Sequence, residues 1–286
     1  MPPLSPTVAS WELVLRLRER RQQLGIEVKE ITQTLGFSRN YWSAVENDRK
    51  ILSEDSLTRL ADLFEFDDDE QRELHDLRTG AKQRGWWTRY SGLIDADLQR
   101  LYGLECGAEI IRTYENVLIP GLLQTPEYAR ALMNAGVMVR QVEIDQLVEI
   151  RMRRQERLEG DDPLRLTAVI GEASLRQQIG GPAVLRNQLD RLALHIESHP
   201  ETIDVRVVPF TATTSELFGA STLHLISFAK VGLPTIAWHE TVSAKGVIED
   251  PTLVRDLSMS LVDTLERALT RDASLTLIRR CAEELA

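Results

Sequence analysis

Residues Ile26–Lys50 read IEVKEITQTLGFSRNYWSAVENDRK. Ile31 and Leu35 stand four apart and share one face of a short helix, and Gly36 follows where a chain leaving a helix needs left-handed backbone. Ser38 suits an N-cap, and Trp42 and Val45 are apolar three apart on the helix that comes next, over about 38–47. Two short helices joined by a tight glycine turn are the consequence.

The neighbouring segments extend this to a five-helix block. Trp11–Leu24 places Leu13, Leu17 and Leu24 at helical spacing and ends at Gly25. Ser53–Phe64 turns Leu57, Leu60 and Leu63 inward, and Asp69–Leu77 opens on acids that suit a helix N-terminus. The stretch RTGAKQRGWW has the glycine and charge of a connector. The expected division is therefore an all-α helix-turn-helix domain over 10–78, a connector over 79–92, and a second domain over 93–286.

The second domain reads as α/β. Helices are expected over Asp97–Glu115, Glu143–Leu158 and about Thr252–Ala268, with a tail helix last and two more between Glu172 and Ser198, interrupted at Gly180-Gly181-Pro182. Strands fit Leu164–Ile170, Ile203–Val208, Ser221–Phe228 and Thr235–Trp238. The later strands are too close in sequence for helical crossovers, so the sheet should be small, mixed and partly antiparallel. In LIPGLLQTPEYARALM, Leu118–Met133, a Pro120-Gly121 turn ends an extended piece, and Thr125 caps a helix with Pro126 at its first position. That stretch reads as packing or as the wall of a pocket.

A composition of 43% hydrophobic and 27% charged residues is that of an ordinary globular chain. A net charge of -10 excludes a protein that coats nucleic acid by bulk charge, but the charge is uneven. Ser10–Leu52 carries eight basic against six acidic side chains and is the net-positive segment. No apolar run is long enough for a membrane helix, and MPPLSPTVAS has no basic region before an apolar one, so a cytoplasmic, nucleoid-associated protein is expected. Cys106 and Cys281 lack metal-ligand spacing and read as reduced thiols.

Helix, glycine turn and capped helix form the arrangement that lays a recognition helix in the DNA major groove. Arg39 and Asn40, in its first turn, offer bidentate hydrogen bonds to guanine and adenine. Ser38, Ser43 and the Ala44 methyl complete the reachable face, while Lys29, Arg49 and Lys50 are candidates for phosphate contacts that set register.

The same residues resemble the Xre family of phage-repressor-type helix-turn-helix domains at Arg21, Gly25, Ser38, Ser43 and Glu46. The resemblance implies double-stranded operator DNA as partner and an internal ion pair between Arg21 and Glu46. Three positions depart from the family pattern: Val28 replaces a phosphate-contacting Gln, Thr32 a small residue, and Asp48 a Gly.

From Trp86 on, GWWTRY, IPGLLQTPEYARAL, RMRRQERL, GEASLRQQIGGPAVLRNQLDRL and VRVVPF, in this order, resemble the C-terminal domain of actinobacterial WhiJ-like, antitoxin-like regulators. This resemblance implies a transcriptional regulator that works with a small partner protein encoded nearby. One helix-turn-helix buries little DNA surface, so a homodimer on two half-sites is expected.

Two other readings stand beside this one. The first is an interaction module or small-molecule sensor whose helix-turn-helix binds DNA weakly alone. The second is an enzyme, but the histidines lack metal spacing, and no phosphate loop, dinucleotide glycine set or nucleophile elbow is present. His239-Glu240 reads as a strand-end feature. Glu105 and Glu109, on one helix face, read as partners for Arg151, Arg153 or Arg154. No catalytic residue, metal or cofactor is expected.

Overall fold

The computed structural model describes residues 3–136 and 139–285, in two compact units, Pro3–Arg89 and the chain from Tyr90 onward. In the first unit α1 spans Pro6–Leu24, starting earlier than Trp11 because Ser5 caps it and Pro6 occupies its first turn. Helices α2 (Val28–Leu35), α3 (Arg39–Glu46), α4 (Glu54–Leu63) and α5 (Asp68–Ala81) follow. Gly25 and Gly36 end α1 and α2 at φ 67° and 69°, the left-handed backbone that glycine adopts without strain. Ser38 and Ser53 cap α3 and α4, and Asp67 and Glu70 form a capping box on α5. Expected to stop at Leu77, α5 runs on through Gly80, where Ala9 and Leu4 pack so close that a side chain would crowd them. Ile31, Trp42, Leu57, Leu60, Phe64 and Leu74 fill the core of this unit.

The second unit is a six-stranded mixed sheet flanked by helices, in the order β3-β2-β1-β4-β5-β6. Its elements are α6 (Ala96–Gly107), β1 (Ile110–Glu115), α7 (Pro126–Asn134), α8 (Ile144–Gln155), β2 (Arg165–Gly171), α9 (Pro182–Ser198), β3 (Ile203–Val208), β4 (Thr222–Ser227), β5 (Ile236–Glu240), β6 (Lys245–Ile248), α10 (Pro251–Arg267) and α11 (Arg271–Glu283). Strands β1, β2 and β3 run parallel, joined by helical crossovers, whereas β4, β5 and β6 are antiparallel.

The single helix expected over Asp97–Glu115 is in fact α6 followed by the strand at the sheet centre. Leu101, Leu104, Ala108 and Ile111 continue at helical spacing across the junction and conceal it, but the β-branched Ile110, Ile111 and Thr113 fit a strand held between β2 and β4. Only a 3-10 turn, Glu172–Leu175, precedes α9, so the two helices expected there are one. Strand β6 was not expected; it is a short edge without a buried residue.

One sheet face, with Tyr114, Val169, Leu223, Leu225 and Ala237, packs against Val254 and Leu261 of α10. On the other face Thr113 stands opposite His224 and His224 opposite Trp238, a polar row inside the fold.

Candidate nucleic-acid interface

Helix α3 is positioned by its buried side. Trp42 and Val45 are 1% and 3% exposed, so the helix cannot rotate without pulling both from the core. At about 100° per residue, Arg39, Asn40, Ser43 and Asn47 then share the opposite face, and all four are exposed. Ala44 lies at its margin, half-buried.

The ends of α3 are fixed by specific contacts. Ser38 accepts from the Tyr41 backbone N–H at 3.2 Å, leaving its own hydroxyl proton to donate. At the other end Arg18 of α1 donates to the Glu46 carbonyl at 2.7 Å. Arg21 Nη2 lies 3.2 Å from Glu46 Oε1, close enough for attraction but without the alignment of a hydrogen bond. Asp48 takes up φ 54°, left-handed backbone that few residues other than glycine adopt, and the Ser10 hydroxyl donates to its carboxylate.

Lys29, Arg39, Arg49 and Lys50 are exposed around this face. The Lys50 ammonium sits 4.6 Å above the Tyr41 ring, which in turn packs on Phe37, so the cation has a preferred place. Lys29 and Arg39 line one open cleft with Arg21, Ile26, Glu27 and Val28, bringing two of the expected phosphate- and base-directed cations to one rim. Asn47, the C-cap of α3, was not singled out by the sequence, although it lies one turn beyond Ser43 on the same face. Its amide donates to the Ser43 carbonyl at 2.7 Å and to the Ser43 hydroxyl at 3.3 Å, which orients Ser43 on the exposed face.

In the second unit Glu105 and Glu109 do not share a helix, because the helix ends between them. Arg154 donates to both oxygens of Glu105 at 2.9 and 2.8 Å, both side chains buried, while Glu109 pairs with Arg165, outside the arginines expected for it. The His239-Glu240 pair ends β5.

The LIPGLLQTPEYARALM stretch is held by side-chain amides. Gln124 donates to the Ile119 carbonyl, Gln155 to those of Gly121 and Gln124, and Gln188 to that of Leu123, while the Thr125 backbone N–H donates to Gln188. A buried irregular loop thus has its backbone groups satisfied, and Thr125 caps α7 with Pro126 in the first turn.

Among the described residues no group of three or more His, Cys, Asp or Glu is arranged to hold a metal ion, and no helix is long and apolar enough to cross a membrane. A family model described as a helix-turn-helix domain matches residues 12–74, and one described as a domain of unknown function, DUF5753, matches residues 98–280. No curated protein and no solved structure matches the chain.

Proposed function

The chain belongs to the DUF5753 domain family, and from its helix-turn-helix domain we propose a sequence-specific DNA-binding transcriptional regulator with α3 in the major groove. One observation carries this reading: α3 presents Arg39, Asn40 and Ser43 outward from a face fixed by buried Trp42 and Val45, with Lys29, Arg49 and Lys50 exposed around it. Arg39 and Asn40 read base edges, Ser38, Ser43 and Ala44 line the same surface, and the remaining cations hold phosphates. The Arg21 and Glu46 pair acts as architecture.

The second unit serves dimerisation, partner binding or signal sensing. The order of its motifs supports a WhiJ-like, antitoxin-like regulator acting with a small cognate protein, in the cytoplasm at the nucleoid. The alternative, a sensor or interaction module that binds DNA weakly alone, is favoured by the net charge of -10. An enzyme is not proposed.

Mobility of the full-length protein on DNA from its own upstream region separates these readings. The double replacement Arg39→Ala, Asn40→Ala should abolish specific retardation, each bidentate contact contributing about 1–3 kcal/mol. Unchanged affinity for the best sequence would remove α3 from the interface.

A further inference from the structure

Helix α10 is fixed in rotation by the side it buries. Val254 and Leu261 are buried, and Leu257 and Leu265 partly so, in the core cluster beneath the sheet, and Thr264 is fully buried beside them. At about 100° per residue, Thr252, Arg255, Met259, Val262 and Glu266 then form one stripe about 80° wide on the opposite side. All five are exposed. Met259 and Val262, at its middle, leave 64% and 44% of their surface in water, where a solvent-facing helix ordinarily carries polar residues.

The stripe has the spacing of a helix seam. Arg255, Met259, Val262 and Glu266 follow one another by four, three and four residues, the alternation that keeps a row of side chains against a partner helix. Read in either direction the steps are the same, and the chemistry inverts: cation, apolar, apolar, anion. A second α10 laid antiparallel across a two-fold axis between Met259 and Val262 therefore sets Arg255 against Glu266 and Met259 against Val262, each contact made twice. A parallel partner would set Arg255 on Arg255 and Glu266 on Glu266.

Both charges are available to such a partner. Arg255 rests against its chain neighbour Asp256 at 3.2 Å, an exposed pair of the kind that contributes little. Arg267, the cation next to Glu266 in the chain, is taken up by Asp263 at 2.6 Å. One Arg and one Glu leave the stripe without net charge, so it suits neither DNA nor a strongly charged protein. A second copy of this chain satisfies both charges and covers both apolar side chains at once.

We propose that the outer stripe of α10 is the homodimer interface, two copies packing antiparallel through Met259 and Val262 with Arg255 and Glu266 paired at each end. The proposal rests on the reading of the protein as a homodimer and adds the surface that forms it. No residue of the helix-turn-helix takes part. The charged pairs set direction and register more than affinity, and a seam of about three turns is smaller than a permanent interface, which places dissociation in the micromolar range.

Sedimentation equilibrium of the full-length protein without DNA, over about 1–100 µM, tests this. Wild type should pass from one chain to two across that range. Val262→Asp puts a carboxylate at the two-fold axis, and Arg255→Glu or Glu266→Arg sets like charges together at both ends. All three alter exposed side chains, so the circular dichroism should stay that of wild type while dimerisation weakens about tenfold or more. Mixing Arg255→Glu with Glu266→Arg in equal amounts should restore a two-chain species, because each chain then meets only opposite charges, and the double variant should recover self-association. Wild type that stays a single chain throughout would overturn the proposal together with the homodimer reading. A wild-type dimer that all three variants match, or a failure of the mixture and the double variant to recover, would overturn the α10 interface and leave that reading standing.

Discussion

Burial raises the carboxyl of Glu115 from 4.5 to about 7, against the Thr222 hydroxyl, which lowers it, and with Glu240, which repels its charge. The unfolded chain ionises at the ordinary value, so between these two values the folded state holds a proton that the unfolded state has lost. Stability attributable to this group falls as pH rises through that window, by about 3 kcal/mol once both states are ionised. Glu115→Gln should match wild type in urea denaturation near about pH 4 and exceed it near about pH 8; parallel pH profiles would refute this. His224 and His195 act in the opposite sense, since burial lowers them to about 3 and about 4, and the stability of their neutral forms is lost as pH falls below the usual histidine range. Glu105→Gln should cost about 3–5 kcal/mol in the same measurement, because it leaves the buried Arg154 without a counter-charge, and a loss under about 1 kcal/mol would show the pair to be dispensable. The sequence offered Arg151, Arg153 and Arg154 for Glu105, and the structure selects Arg154 because that position of α8 is buried toward α6 while Arg153 is exposed.

Elements whose ends are locally encoded were legible. Helices α2, α3 and α4 carry their own caps and stops at Ser38, Ser53 and Gly36, so short-range hydrogen bonds set their limits. Strand β1 was not legible, because its flanking apolar spacing fits a helix and its partners are more than fifty residues away in β2 and more than a hundred in β4. The end of β2 shows the same dependence on distant chain. A Cβ at Gly171 would lie 2.4 Å from the Asn116 carbonyl oxygen, and backbone cannot yield as a side chain does. Gly171→Ala should therefore cost about 1–3 kcal/mol in thermal or urea unfolding, and an unaffected midpoint would mean that the loop after β1 moves freely.

At the scale of the molecule, a single recognition helix of eight residues reads few base pairs, which is why a homodimer is the proposed working form. Light scattering should give twice the mass of the 32.4 kDa chain at micromolar concentration without DNA and two chains per complex with operator DNA, and a single chain under both conditions would count against it. The sequence by itself determined the helix-turn-helix, the change to α/β after it, the mixed sheet and the outward residues of α3. Each follows from local periodicity, from capping, or from which side chains three and four apart must face a core. Only the tertiary structure decided that Ile110–Glu115 is the central strand, that Arg154 rather than a neighbour meets Glu105, and that Thr222 of β4 meets the Glu115 carboxylate. Strand register and charge pairing are long-range properties, fixed by which segments the whole chain packs side by side.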